Sequence, residues 1–243
     1  MKALAPWLLA ATLSLAAPLS EAITLRVANQ GDVQSMDPHS LNESLQLSFT
    51  GNVYESLVER GKDMGLTAAL ATKWTQTSPT VWRFDLRPNV KFHDGKPFTA
   101  DDVVFTFKRA AGEGSDMKGY TNPIKEVRKV GDLAVEIETT APYPILPDTL
   151  TTLGMMSKKW CEENKAERPV DRRKGIENTA SFKSNGTGPF RLKERQPSVR
   201  ISPGCRTGPG PVEVIPWRYE AARTASTSSA VGLNVMPATA RWA

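Results

Sequence analysis

The stretch from Trp82 to Phe107 leaves this chain the least freedom. Trp82, Phe84 and Leu86 alternate with Arg83, Asp85 and Arg87, the two-residue period of a half-buried strand. Asp94-Gly95 follows as a tight-turn pair. Thr99 then opens a helix: its hydroxyl oxygen is placed to accept a first-turn amide, and Asp101 and Asp102 lie at the positive end of the helix dipole. Val103, Val104, Phe107 and Ala110 give that helix its apolar side. A strand and a helix in immediate succession, each apolar on one face, require a shared core.

The first residues set the compartment. Lys2 precedes an apolar run from Trp7 to Ala17, and the small-residue site Ser20-Glu21-Ala22 follows. This is the three-part pattern of a secretory signal peptide, expected over 1–22 with the mature chain starting at Ile23. The run falls well short of the ~20 apolar residues that cross hydrocarbon, so the mature chain is expected to be exported and free of the membrane. Two Cys and two His exclude a multi-ligand zinc module. Basic residues outnumber acidic ones by five but are scattered, which gives no footprint for nucleic acid. Cys161 and Cys205 are free to pair in an oxidising compartment, although two unrelated thiols is the preferred reading.

Elsewhere the pattern mixes strands and helices without a regular βαβ rhythm. Ile23 to Ala28 alternates into a polar loop. Leu45, Phe49, Val53 and Leu57 form a fourfold stripe that predicts a helix from Asn42 to Leu57, stopped by Gly61. Glu126–Val130 and Leu133–Ile137 around Gly131-Asp132 read as a hairpin. Lys158–Arg173 reads as polar surface, and Gly186-Thr-Gly188 as a flexible joint running into a strand. The class is α/β or α+β with an inserted subdomain.

Catalysis has little to rest on. His93 stands beside Asp94, but no nucleophile motif accompanies it. The Gly186-Thr-Gly188 run lacks the Lys and Ser/Thr of a phosphate loop. No cofactor and no metal are expected.

The run from Trp82 to Phe107 resembles the signature of family 5 extracellular solute-binding proteins, the oligopeptide, dipeptide, glutathione and nickel receptors of ABC importers. The loop Ser35–His39, the expected helix Val53–Val58, the hairpin leading into Ala141-Pro-Tyr-Pro144 and Asn185–Leu192 agree with it in order. The resemblance covers about 23–200. It implies a bilobed α/β fold of the type II periplasmic-binding kind, truncated here to the first lobe (core 23–50 and 185–200) plus an appended subdomain at 51–184. It implies a monomeric periplasmic receptor for a small peptide or peptide-like ligand, working with a membrane permease. On the first lobe's wall it points to Met36, Asp37, Gln46 and Tyr54 as ligand contacts. Two other readings stand beside it, a secreted hydrolase using His93 and a nonfunctional fragment.

The resemblance stops near Arg200. From Gly204 to Ala243 there is no Lys, Asp or Phe, and Ala, Ser, Thr, Gly and Pro make up more than half. Residues 201–243 are expected to form a disordered tail or the product of a reading-frame shift near Ser198–Cys205, because out-of-frame reading of a GC-rich gene favours Ala, Arg, Gly and Pro.

Overall fold

The computed structural model describes residues 25–29, 32–196, 200–205 and 212–216. The expected signal segment 1–22 and residues 217–243 lie outside them.

The strand and helix expected from Trp82–Phe107 form as β5 (Val81–Leu86) and α2 (Ala100–Ala110). To name the others in chain order, β1 is Leu25–Asn29, α1 Ser44–Thr50, β2 Val58–Arg60, β3 Leu66–Ala68 and β4 Ala71–Ser78. After α2 come α3 (Lys118–Thr121), β6 (Ile124–Gly131), β7 (Ala134–Thr139), α4 (Leu146–Thr149) and α5 (Lys158–Glu163). The chain then forms β8 (Phe190–Gln196), β9 (Arg200–Cys205) and β10 (Val212–Pro216). An antiparallel sheet runs β4-β5-β7-β6, a mixed sheet runs β1-β10-β9-β8, and β2 pairs with β3 alone.

The central sheet gains its core from alternation. Phe84 and Leu86 of β5 and Val135 and Ile137 of β7 are buried together with Val103 and Phe107 of α2. Val104 stays half-buried at the edge of that helix. Asp102 Oδ2 accepts hydrogen bonds from Thr99 N at 2.9 Å and Thr99 Oγ1 at 3.1 Å, so the acidic residue holds the helix start from the third position. A second cluster joins Val33, Met36, Val53 and Tyr54 to Met156, Trp160, Cys161, Ala166 and Ala180.

Four expectations need correction. The helix expected to reach Leu57 stops at Thr50. Beyond it the chain turns, with Val53 N and Tyr54 N both donating to Thr50 O (2.9 and 2.8 Å), and the carbonyls of Asn52 and Val53 accept hydrogen bonds from Phe190 N (3.1 Å) and Gly188 N (2.9 Å) instead of continuing the helix. Val53 and Leu57 are still buried, but from non-helical chain. Lys158–Arg173 is not simply polar surface, since Trp160, Cys161, Ala166 and Val170 are buried. The Gly186-Thr-Gly188 run is buried rather than loose. A Cβ on Gly186 would stand 1.9 Å from the Val53 carbonyl oxygen, and one on Gly188 2.6 Å from that of Asn52; glycine is needed there for close approach of backbones. Finally, the region beyond 200, expected to be a tail, supplies two strands. Val212, Val214 and Ile215 give β10 the β-branched content of a strand, and it pairs in parallel with β1, Val27 opposite Val214.

Candidate functional site

The loop from Val33 to Ser40 is organised by Asp37. Residue 38 is proline, which keeps Asp37 out of the helical region. Its carboxylate is fully buried and accepts four hydrogen bonds. Oδ1 takes Arg109 Nη1 at 2.8 Å and His39 N at 2.9 Å, and Oδ2 takes Arg109 Nη2 at 2.7 Å and Val170 N at 2.9 Å. Arg109, in the last turn of α2, also donates to Ala166 O (2.9 Å), Arg168 O (3.0 Å) and His39 Nδ1 (2.8 Å). Every N–H of the guanidinium has an acceptor, the condition under which a buried ion pair is tolerated. His39 Nδ1 accepts, so its Nε2 carries the proton and donates to Gly154 O at 3.0 Å.

These contacts set the charge states. Burial acts to raise the Asp37 pKa, but the Arg109 charge and hydrogen bonds outweigh it and hold the carboxyl below its usual range. Burial, reinforced by the Arg109 charge, lowers His39 to about 4, so the ring is neutral. Burial pushes the Tyr54 phenol up, and the free thiol of Cys161 up to about 12.

The helix carries this network on one stripe. Asp102, Thr106 and Arg109 are all buried, spaced so that they share a face. Asp102 Oδ1 accepts Lys158 N at 2.9 Å, Thr106 Oγ1 accepts Met156 N at 3.0 Å, and Arg109 reaches Asp37. Polar residues at helical spacing beside Val103, Phe107 and Ala110 are the sequence signal that could have revealed Arg109. Nothing local pairs it with Asp37 across such a distance in the chain.

All four candidate ligand contacts lie in this region, and all four are buried. Met36 packs in the second cluster and Asp37 is held as described. Gln46, on α1, donates Nε2 to Ser35 O. Its Oε1 and the Tyr54 hydroxyl have no hydrogen-bond partner among the described residues. Tyr54 packs against Gly154 and Gly186 and lines a cleft of about 470 Å³ with Thr50, Ser56, Thr67, Thr151 and Thr152. His93 lies elsewhere, at the Phe92–Asp94 turn. Its Nε2 is 2.9 Å from Gly188 O, and Gly186 N lies 3.3 Å from its Nδ1. Among the described residues no group of three or more His, Cys, Asp or Glu is placed to hold a metal ion.

Comparison with known proteins fixes the class. Residues 65–202, more than half of the chain, match the bacterial extracellular solute-binding proteins, family 5, and the chain belongs to that family. It is 31% identical over 150 residues to the glutathione-binding protein GsiB of Pectobacterium atrosepticum, a match covering 59% of this chain and 29% of that one. It is 32% identical over 102 residues to the periplasmic oligopeptide-binding protein OppA of Escherichia coli, covering 42% and 19%. The crystal structure of NikZ from Campylobacter jejuni in complex with Ni(L-His) superposes with a TM-score of 0.69 at 21% identity, over 80% of this chain and 39% of that one. The fold is that of type II periplasmic binding proteins. The chain spans less than a third of the length of these two curated relatives.

Proposed function

We propose that this chain is the N-terminal portion of the substrate-binding component of an ABC importer for peptides or peptide-like solutes. It is delivered to the periplasm by the segment 1–22 and acts as a monomer beside a membrane permease. Family membership over 65–202 carries the reading. In it, the core at 23–50 and 185–200 with the subdomain at 51–184 forms one wall of a two-walled site. Gln46 and Tyr54, each with a polar atom left over, are the ligand contacts on that wall, and Met36 and Asp37 support the loop beneath them. The relatives named above are binding proteins, and both ring nitrogens of His93 face backbone groups, so the hydrolase reading has no base to use.

A chimera tests this. Residues 23–196 replace the equivalent stretch of E. coli OppA behind segment 1–22, and the exported product is titrated with a di- and tripeptide pool. The expected product starts at Ile23 by mass and binds peptide, with binding weakened at least tenfold by Tyr54→Phe or Gln46→Ala, as loss of a ligand hydrogen bond requires. A folded chimera that binds no peptide would overturn the proposal. Undiminished binding in both variants would remove Gln46 and Tyr54 from the site.

A further inference from the structure

The chain crosses between core and subdomain twice, and the two crossings touch. The outgoing segment is Asn52–Tyr54. The return, residues 185–188, is hydrogen-bonded to it through Gly188 N and Phe190 N and packed so closely that only glycine fits at 186 and 188. The other side of the return is held by the Phe92–Asp94 turn. His93 N donates to Gly186 O at 2.9 Å, and Asp94 N to Asn185 Oδ1 at 3.1 Å. The imidazole completes the clamp. Gly188 O can only accept, so Nε2 carries a proton; Gly186 N–H can only donate, so Nδ1 carries none. One neutral tautomer satisfies both partners. An imidazolium would set an N–H at Nδ1 against the Gly186 N–H, two donors facing each other.

We propose that His93 is a proton-operated latch: neutral, it bolts the return crossing to the subdomain turn, and protonated, it releases residues 185–188. The proton goes from solvent to Nδ1, and the Gly186 amide exchanges that acceptor for water. The turn itself has Asp94 and Lys96, 3.4 Å apart, and α5 brings Glu163 to Lys96 at 2.6 Å. The return loop 185–188 has no ionisable side chain, and the outgoing segment brings only the phenol of Tyr54. His39 is the one other imidazole in the chain, and its own uptake lies near 4.

Amide hydrogen–deuterium exchange on the full chain, at about pH 7.5 and about pH 5 and scaled to the intrinsic rate at each pH, reads the latch directly. Protection of the Gly186 and Gly188 amides is expected to fall on the order of tenfold relative to the β5 and β7 core amides. His93→Gln supplies a non-titrating mimic, donating through Nε2 and accepting through Oε1, and its ratio is expected to stay constant. His39 titrates alike in both proteins. A constant wild-type ratio would overturn the latch, and so would an equal fall in wild type and His93→Gln. If the variant fails to fold, His39→Gln takes its place and leaves His93 as the one imidazole; the fall is then expected to persist, and its disappearance would overturn the latch.

Discussion

Arg109→Met should be among the most damaging single changes in the described region. Methionine keeps the length and apolar stem but none of the donors. Asp37 would retain only His39 N and Val170 N, and the carbonyls of Ala166 and Arg168 would lose the Arg109 hydrogen bonds. Removing one partner of a buried pair costs about 3–5 kcal/mol, a large share of the roughly 5–15 kcal/mol that holds a domain together. The pH dependence adds a second signature. Asp37 titrates below its unfolded value in the native state, burial being outweighed by Arg109. Its contribution is therefore complete above about pH 3.9 and is lost as pH falls through the lowered folded value. Without Arg109, burial, the largest effect, is opposed only by His39 and the remaining backbone hydrogen bonds, and the carboxyl rises, so the folded variant takes up that proton more readily than the unfolded chain. The gap between wild type and variant should then narrow toward acid. Urea melts at about pH 7 and about pH 4, read at equal m-value, give both numbers. A neutral-pH loss under about 1 kcal/mol, or a gap that widens in acid, would refute the reasoning.

Two further outcomes are expected. Phe84→Ala should cost roughly 3–5 kcal/mol and Thr99→Ala on the order of 1 kcal/mol, because Phe84 is buried in the main cluster while Thr99 only closes a helix start; indistinguishable urea midpoints would contradict that. His39 binds its proton at about 4 when folded against about 6.5 unfolded. Folding stability should thus drop as pH falls from about 6.5 to about 4, by about 3 kcal/mol at most, and His39→Gln should flatten thermal melts over that window; a flat wild-type profile would count against the buried neutral ring.

Local patterns told most about local structure. Alternation, an Asp-Gly turn and a Thr start were enough to read β5 and α2, and the Gly131-Asp132 turn was enough to read β6 and β7. The run Leu45, Phe49, Val53, Leu57 misled because burial was read correctly and conformation was not. Its second half leaves the helix through turns, its carbonyls taken by amides of Gly188 and Phe190 that sequence spacing cannot bring near. The same distance hid the partner of Asp37: a basic residue in the last turn of a helix reads as a complement to the dipole, and only the fold carries Arg109 into the loop. Gly186 and Gly188 read as a joint because glycine permits unusual backbone angles, whereas here its missing side chain is what matters. In the tail, a composition averaged over the whole segment hides the valines that make β10.

If this chain forms one wall of a two-walled receptor, it should bind peptide weakly by itself. Small-ligand sites typically bury about 70–90% of their ligand, and a single wall leaves one side in water. A charged peptide terminus left without a partner forgoes about 1.5–3 kcal/mol, roughly one to two orders of magnitude in affinity, before lost apolar burial is added. Isothermal titration of the purified chain against a pool of di- and tripeptides reads this quantity. No binding at micromolar concentrations is expected. Micromolar or tighter binding would mean that this wall suffices and that the two-walled reading of the site is wrong.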